Sequence, residues 1–365
     1  MTKLRWVDWH RFRFLVWWLL MTPFISACDT RDPNVYSVRA PSWAPDNQSI
    51  VATYSNHIHG DKLVRQFFTG TGEQQVQFFP QIKQKYINAP VFSPDGKKIA
   101  FTAGDDKATE VYIMHADGTQ LRQLTQSGKY NFAPYFSDDG QSLIYVRSHL
   151  LRPSSTFGQT LTDDDIYKFD LSTGKESRLT YYHFYAMVRP MYLGGQHTII
   201  FDGTPAGNYQ EEYNEIRVFA LSINPDTSRD SNSKAAEFNK LFVMPYKSFD
   251  FIPAFTQQDM DYISFRSISR DGRKIAFIVR TNKMDGVTTG DFTYDVFLRE
   301  NGRNTRVTHL GAKYRLYGVA LSPDGSRLTL IREDRKTYEN RLWVGNSDGS
   351  DMRDITLSSE QVAEL

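Results

Sequence analysis

A short phrase recurs along the chain, and it constrains the fold more than any other feature. Its clearest copy reads Ser93-Pro94-Asp95-Gly96-Lys97-Lys98-Ile99-Ala100-Phe101, and related copies occupy residues 269–277 and 321–328. Pro, Asp and Gly in this order favour a tight reversal of the chain. The alternation of polar and apolar residues after the reversal predicts a strand with one buried face. Internal repeats of this kind indicate one supersecondary unit that is copied several times.

Looser copies bring the number of repeats to six. The step from Asp95 to Asp139 is 44 residues, which matches the roughly 40–45 residues of one four-stranded propeller blade. A second hairpin within the copy, around Asp117-Gly118, supplies the third and fourth strands. The sequence therefore predicts an all-β fold, a six-bladed β-propeller built of four-stranded antiparallel blades.

These repeats resemble those of TolB-type six-bladed propellers. The resemblance depends on the Asp-Gly turn followed by Lys-Lys-Ile-Ala-Phe and on a later Asp-Gly turn with a Leu-Thr ending, and it covers about residues 40–357. Members of the TolB type carry a separate α/β domain before the propeller, which we do not expect here, so the Tol-Pal role is not carried over. The repeat family also supplies the propellers of prolyl oligopeptidase-like enzymes, but no Gly-x-Ser-x-Gly nucleophile elbow and no hydrolase-sized segment follow the repeats in this sequence.

The first residues have the pattern of a secretion signal. Basic residues precede an apolar stretch from Phe14 to Phe24 that Pro23 interrupts. The stretch ends in Ile25-Ser26-Ala27-Cys28, which resembles the lipobox of bacterial lipoproteins, and Cys28 is the single cysteine. We predict a lipoprotein signal peptide at 1–27, a lipidated tether at 28–39, the propeller at 40–357 and a C-terminal tail at 358–365. An ordinary signal peptide with a cleavage site before a cysteine is the alternative.

Acylation of Cys28 predicts a peripheral protein that is held to the membrane by lipid and faces the periplasm. Asp29 resembles the signal that retains lipoproteins in the inner membrane, which favours that membrane and leaves the outer membrane possible. Loss of residues 1–27 removes four basic groups and one acid, so the formal charge changes from +1 to −2. That balance favours neither nucleic acid nor anionic lipid as a partner.

Long connections should gather on one rim of such a propeller. The A-B and C-D turns are short, whereas the connections His149–Asp164, Gly203–Asn214 and Arg280–Thr293 are long and belong to the opposite rim. Long loops on one face of a rigid scaffold indicate a binding surface, and aromatic side chains are enriched at such surfaces. The predicted contact residues on this rim are Phe157, Tyr185, Tyr209, Phe251 and Tyr317.

Signals for catalysis or metal binding are weak. His57, His59 and Asp61 offer two imidazoles and a carboxylate, but no further ligand follows from their spacing. The acidic run 163–165 lacks the spacing of a calcium loop and is expected to be a solvated loop. The Asp of each repeat has a role in its turn. We therefore predict no catalytic residue, no metal site and no cofactor.

The sequence thus predicts a monomeric, non-enzymatic, lipid-anchored propeller that serves as a protein-interaction platform in the cell envelope. Two alternatives remain open. The aromatic rim could bind a carbohydrate or a peptidoglycan fragment. The protein could also be a metal-dependent enzyme like the oligogalacturonate lyases, which use histidines at the mouth of the channel; here His57, His183, His197 and His309 lie in different blades.

Overall fold

The computed structural model of the protein describes residues 36–56, 59–68, 74–154, 158–192, 198–204, 217–222, 241–243, 263–281 and 293–364. Nearly all of them lie in antiparallel β-strands or the turns between them. Within the described part of the chain, helical structure is too short and too polar to cross a lipid bilayer.

The strands form four four-stranded sheets and one eight-stranded sheet. The first sheet contains β1 (Ser37–Trp43), β2 (Ser49–Asn56), β3 (Gly60–Phe68) and β4 (Gln74–Phe78). The eight-stranded sheet contains β5 (Lys85–Phe92), β6 (Lys98–Gly104), β7 (Thr109–His115), β8 (Arg122–Gln123), β9 (Tyr130–Phe136), β10 (Ser142–Ser154), β11 (Gly158–Asp170) and β12 (Glu176–Arg178).

The remaining sheets follow in chain order. One contains β13 (Ala186–Tyr192), β14 (Thr198–Thr204), β15 (Arg217–Ser222) and β16 (Leu241–Val243). The next contains β17 (Ile263–Ile268), β18 (Lys274–Arg280), β19 (Tyr294–Glu300) and β20 (Arg303–Arg306). The last contains β21 (Tyr314–Leu321), β22 (Arg327–Asp334), β23 (Asn340–Asn346) and β24 (Arg353–Asp354), and a short helix α1 (Ser359–Glu364) follows it.

The eight-stranded sheet consists of two runs of four consecutive strands, β5–β8 and β9–β12. They join through one parallel pair, Thr109 with Tyr130, whereas neighbouring strands within each run pair antiparallel. Every sheet in the described residues is therefore built of consecutive strands that return on themselves, and this all-β arrangement of antiparallel sheets is that of a propeller.

The recurrent phrase forms the turn between the first two strands of a run. In the turn after β5, the Ser93 hydroxyl donates to Asp95 Oδ1 (2.6 Å), and the amide of Lys97 donates to the same oxygen (3.0 Å). The amide of Lys98 donates to Ser93 Oγ (2.9 Å), and these hydrogen bonds hold the pKa of Asp95 below its usual value. The turns at Asp139, Asp271 and Asp324 repeat the serine contact. The predicted turn role of these aspartates is confirmed.

Consecutive runs of strands pack face to face through shared apolar clusters. One such cluster joins β13 and β14 to β18 through Met191, Ile200, Ile275 and Phe277. Another joins the first sheet to the last and includes residues 355–362. The first and last sheets therefore lie against each other.

Hydrogen bonds attach the segment after β24 to the first sheet. Gln66 Nε2 donates to the carbonyl of Ile355 (2.7 Å), and the amide of Leu357 donates to the hydroxyl of Tyr54 (3.1 Å). Lys62 Nζ donates to the carbonyl of Val362 (2.6 Å), whose side chain is fully buried. Residues beyond 357 are thus part of the packed structure.

The fold differs from the sequence prediction at two further places. Tyr36 and Val38 are buried and β1 begins at Ser37, so the packed structure starts before the predicted boundary at residue 40. The connection predicted over 149–164 is mostly strand, because β10 and β11 pair as far as Ser154 with Gly158. Asp164 and Asp165 are therefore buried in β11 rather than solvated in a loop.

Candidate functional site

The first strands of the runs, β1, β5, β9, β13, β17 and β21, line a central cavity of about 1090 Å³. Each of these strands carries a register shift against its partner. Bulges of this kind turn side chains away from regular pairing and are enriched beside binding sites. The cavity is therefore the place in the described structure where several sheets present side chains to one space.

The bulges of four of these strands share a signature that our sequence analysis missed. Ala40, Ala89, Ala133 and Arg189 all have φ near +50°, and each is followed by proline. Non-glycine residues rarely adopt this conformation, so it persists only where the surrounding structure imposes it. The sequence contained a signal for these bulges, because each of the three alanines precedes the aspartate of its turn by six residues.

One end of the cavity, here called the turn end, is formed by the turns that follow the first strands. Arg270 links two of these turns, because its Nη2 donates to the carbonyl of Pro94 (2.9 Å) and its amide donates to the carbonyl of Pro323 (2.7 Å). The turns that carry Arg270 and Pro94 belong to sheets that are not neighbours in sequence. The Arg270 side chain therefore spans part of the turn end.

The opposite end, here called the arginine end, is lined by Arg39, Arg189, Arg315 and Arg335. Arg39 and Arg315 lie near the start of β1 and β21, and Arg335 follows β22, so these three are remote from the turns, whereas Arg189 lies in the middle of β13. Buried carboxylates stand behind the first three arginines and do not line the cavity.

The geometry of two of these pairs is well defined. Arg39 Nη2 lies 2.9 Å from Asp61 Oδ1, and Arg315 Nη1 lies 3.3 Å from Glu333 Oε1. Burial lowers the pKa of Arg39, and the nearby Asp61 carboxylate opposes that change. Arginine nonetheless keeps its charge in proteins, so the cavity meets guanidinium groups at this end. The third pair joins Arg189 to Asp202.

The structure brings one of the predicted contact residues into this cavity. Tyr317 lines it, and the Tyr317 hydroxyl donates to Glu333 Oε1 (2.6 Å). Burial, and next the Glu333 carboxylate, raise the pKa of Tyr317. Tyr185 is half-buried immediately before β13, on the same side of the sheets as the arginine end. Phe157, Tyr209, Phe251, Cys28 and Asp29 lie outside the described residues.

A repeated network fixes the third and fourth strands. Asp165 Oδ2 accepts from Arg178 (2.5 Å), and its Oδ1 accepts from the Thr180 hydroxyl (2.6 Å) and the Tyr182 amide (3.0 Å). The same hydroxyl accepts from the amide of Ile166. The threonine of the Leu-Thr ending thus ties the segment after β12 to the buried acid and the backbone of β11.

The carboxylate of Asp165 bears on the predicted absence of a metal site. Asp163, Asp165 and His183 each place one potential ligand atom within 4.8 Å of the others. His183 Nδ1 lies 2.5 Å from Asp163 Oδ1. Since both oxygens of Asp165 already accept hydrogen bonds, a cation would have to displace Arg178 or Thr180. This arrangement fits a structural acid better than a metal ligand.

Of the two histidines predicted beside Asp61, the structure describes only His59. His57 and His197 lie outside the described residues. His59 is exposed and stacks on Tyr36 with ring centroids 6.4 Å apart, and Asp61 pairs with Arg39.

Comparison with known proteins identifies the family. A family model described as the TolB beta propeller domain matches residues 33–228. The Tol-Pal system protein TolB of Anaeromyxobacter dehalogenans is 30% identical over 95 residues, which are 26% of this chain and only 20% of that relative.

Solved structures show the same fold. TolB from Acinetobacter baumannii is similar with a TM-score of 0.52 and 18% identity, over 90% of this chain and 65% of that one. An oligogalacturonate lyase from Vibrio parahaemolyticus reaches a TM-score of 0.52 at 10% identity, over 89% of this chain and 80% of that one. Because the family model spans more than half of the sequence, the chain belongs to the family of TolB beta propeller domains.

Proposed function

We propose that this chain is a non-enzymatic propeller that binds a protein partner of the bacterial cell envelope at the arginine end of its cavity. The central cavity of about 1090 Å³ is the observation that carries the proposal. Arg270 spans part of the turn end, so we place the partner at the opposite, arginine end. The sequence predicts that the connections 203–214 and 280–293 belong to this same side, where they would add surface for a partner.

The architecture that we propose has six blades in a closed ring. Counting each run of four strands as one blade gives this number, and the packing of the first sheet on the last supports closure. Radial repetition of this kind leaves only short edge strands, which limits edge-to-edge aggregation. The monomeric state is part of the proposal.

Attachment to the envelope is proposed from the sequence. Cys28 would carry the lipid, and Asp29 favours the inner membrane. The relative from Anaeromyxobacter is named as a Tol-Pal system protein, which supports a role related to that system. The shared segment covers only a fifth of that relative, so the identity of the partner is left to experiment.

Site-specific photo-cross-linking in intact envelopes tests this function. A photoreactive amino acid replaces Tyr185, on the side of the arginine end, or Thr173, which is exposed in the turn between β11 and β12 on the opposite side. We expect mass spectrometry to identify one protein captured from Tyr185 and not from Thr173. Capture of no protein above background, or equal capture from both positions, contradicts the proposal. Glycan binding that Tyr185→Ala abolishes would replace the protein partner with a carbohydrate.

A further inference from the structure

The most exposed apolar side chains share one side of the molecule. Among the described residues, the large apolar side chains with the greatest exposure are Leu150 (42%), Leu151 (39%) and Tyr338 (40%). The two leucines lie in the second half of β10, and Tyr338 lies between β22 and β23. β10 and β22 are second strands of their runs, and second strands run from the turn end towards the arginine end. All three side chains therefore lie on the side of the arginine end.

The hairpin of β10 and β11 raises two of these side chains above the sheet. β9 pairs with β10 only as far as Ser148, whereas β11 stays paired with β10 as far as Ser154. At about 3.3 Å per residue, the end of β10 extends about 20 Å beyond its pairing with β9. Successive side chains of a strand point to opposite faces, so each face of the hairpin presents one leucine to solvent.

The described chain also begins on this side. β1 starts at Ser37, at the arginine end of a first strand. The residue before it, Tyr36, is buried, and its amide donates to Ser359 Oγ (3.2 Å). Cys28, the proposed site of the lipid, precedes Tyr36 by eight residues. Because a fully extended chain of this length spans at most about 29 Å, an acylated Cys28 stays close to the side of the arginine end.

A tether of this length cannot bring the turn end to a bilayer. The chain would have to pass outward across four strands about 4.8 Å apart and then back along the sheet at about 3.3 Å per residue. Since β1 and β2 contain seven and eight residues, this route is about 38 Å long and exceeds the reach of the tether. On the side of the arginine end, the tether exceeds the roughly 20 Å of the raised hairpin. The lipid and the hairpin therefore reach one plane there.

We infer that the side of the arginine end faces the lipid bilayer, and that Leu150, Leu151 and Tyr338 contact the bilayer surface. Leucine side chains enter the boundary between headgroups and acyl chains. Tyrosine is enriched at the membrane interface, where its ring meets lipid and its hydroxyl meets water. The contact is apolar and does not depend on anionic lipid.

The contacts lie at two separate points of the proposed ring. Leu150 and Leu151 belong to the third run of strands and Tyr338 to the sixth, and in a ring of six blades these two runs lie opposite each other. Together with the lipid, two such points fix the orientation of the molecule. The inference rests on the proposed function for the lipid at Cys28, and it adds that the partner meets the arginine end at the membrane surface.

Fluorescence quenching by lipid tests this orientation. The mature full chain is reconstituted in vesicles of phosphatidylcholine that carries bromine on its acyl chains. Bimane is attached to Leu150→Cys, Tyr338→Cys or Thr173→Cys, and Thr173, which is exposed on the side of the turn end, is the control. Relative to vesicles without bromine, we expect the emission to fall by at least half at the first two positions and by less than a tenth at Thr173. Mass spectrometry verifies that Cys28 is acylated and carries no bimane.

A charge beside the label tests insertion directly. In the chain labelled at Leu150→Cys, Leu151→Asp should reduce the quenching at least twofold, because a carboxylate resists transfer into an apolar medium. Lys175→Asp, in the exposed turn between β11 and β12, is the matched control and should leave the quenching unchanged. Both replaced side chains are exposed, so both variants should fold, and thermal unfolding verifies this.

Each other result contradicts the inference. Equal quenching at Thr173 means that neither side is preferred. Absence of quenching in a chain that stays on the vesicles refutes the contact and leaves the lipid anchor in place. A chain without an acyl group on Cys28, or one that washes from the vesicles, refutes both. Failure to capture a partner from Tyr185 refutes the protein-binding function alone, because the vesicles contain no partner.

Intact envelopes distinguish lipid from protein as the occupant of this side. A photoreactive amino acid in place of Leu150 should capture phospholipid, which mass spectrometry detects. Capture of a protein and no phospholipid would assign the exposed leucines to a protein interface and overturn the inference.

Discussion

The strands β9–β12 and β17–β20 are two copies of one design, and the comparison separates structural from specialised acids. Asp295 in β19 repeats the network of Asp165 in β11. Its Oδ2 accepts from Arg306 (2.6 Å), and its Oδ1 accepts from the Thr308 hydroxyl (2.7 Å) and the Leu310 amide (2.9 Å). Because an acid, an arginine and a threonine recur with the same contacts, this set belongs to the fold.

The residue before each of these acids differs. In β19 it is Tyr294, which lines the cavity. In β11 it is Asp164, which is fully buried, accepts from the Met187 amide (2.8 Å) and bonds to the Ser148 hydroxyl. Burial raises the pKa of Asp164 to about 8. Adjacent acids in one strand therefore have different surroundings, since Asp165 pairs with Arg178 and Thr180 whereas burial favours the protonated form of Asp164.

The largest expected effect tests the shared network. Asp165→Ala and Asp295→Ala each remove the carboxylate that a partly buried arginine and a buried threonine hydroxyl share, and each should lower the free energy of unfolding by about 3 kcal/mol. Urea denaturation measures this loss. Asp106→Ala, at an exposed position, is the control and should change stability by less than about 0.5 kcal/mol. A large loss in only one of the two variants would show that the copies are not equivalent.

The second prediction concerns Asp164 and pH. Its folded pKa of about 8 lies above the ordinary value near 4, so the native state holds the proton more tightly than the unfolded chain does. Its contribution to stability is complete below about pH 4 and is lost as the pH rises through about 8. We expect the wild type to lose at least about 2 kcal/mol over this range relative to Asp164→Asn, whose amide imitates the protonated acid.

Denaturation curves at several pH values measure this difference. Asp164→Asn can donate to Ser148 and accept from the Met187 amide, so it should fold. Parallel pH profiles for the wild type and the variant would mean that Asp164 is charged at neutral pH, and would remove the contrast with Asp165.

The third prediction addresses the turns, where the two copies agree. Gly140 has φ +66° and Gly272 has φ +72°, and in neither would an added Cβ lie closer than 3.5 Å to the nearest atom. The cost of a side chain thus comes from the backbone conformation alone. Gly140→Val and Gly272→Val should each lower the free energy of unfolding by about 1 kcal/mol. The shift in the thermal midpoint measures this loss, and Arg273→Val is the control. No shift in either variant would contradict the turn assignment.

The smallest effect is expected at the cluster of Asp163, Asp165 and His183. His183 is exposed, so His183→Ala should change the free energy of unfolding by less than about 0.5 kcal/mol. Titration with Mn²⁺ or Zn²⁺ should give no saturable rise in the unfolding temperature, because Asp165 is already saturated with hydrogen bonds. A stoichiometric rise that disappears in His183→Ala would reverse this conclusion and support a metal-dependent function.

The comparison also shows what the sequence could reveal. The Asp-Gly turns and Leu-Thr endings are local patterns whose hydrogen bonds form within a few residues or one hairpin, so the repeat and the β-fold were predictable. The pairs Arg39 with Asp61 and Arg189 with Asp202 join different strands and occur once each, so no repeat marked them. Tyr317 was predicted as a contact residue because it is aromatic. That it lines the cavity could be predicted only from its position on the first strand of a run.

The buried state of Asp164 and Asp165 was not predictable either. An acidic run usually lies in solvent, and only the pairing of β10 with β11 places these residues inside. Arg178 and Thr180, which accompany Asp165, come from the next hairpin, so the sequence shows them as separate polar residues.

The attachment of residues 355–362 to the first sheet has a consequence for biogenesis. Translation completes β1–β4 hundreds of residues before their covering segment exists, so Tyr36, Val38 and Tyr54 stay accessible until synthesis of the chain is finished. Contacts so distant in sequence form slowly, and during that delay a chaperone has an apolar surface to hold. A nonsense mutation that removes only the last ten residues would therefore expose the opposite terminus to proteases.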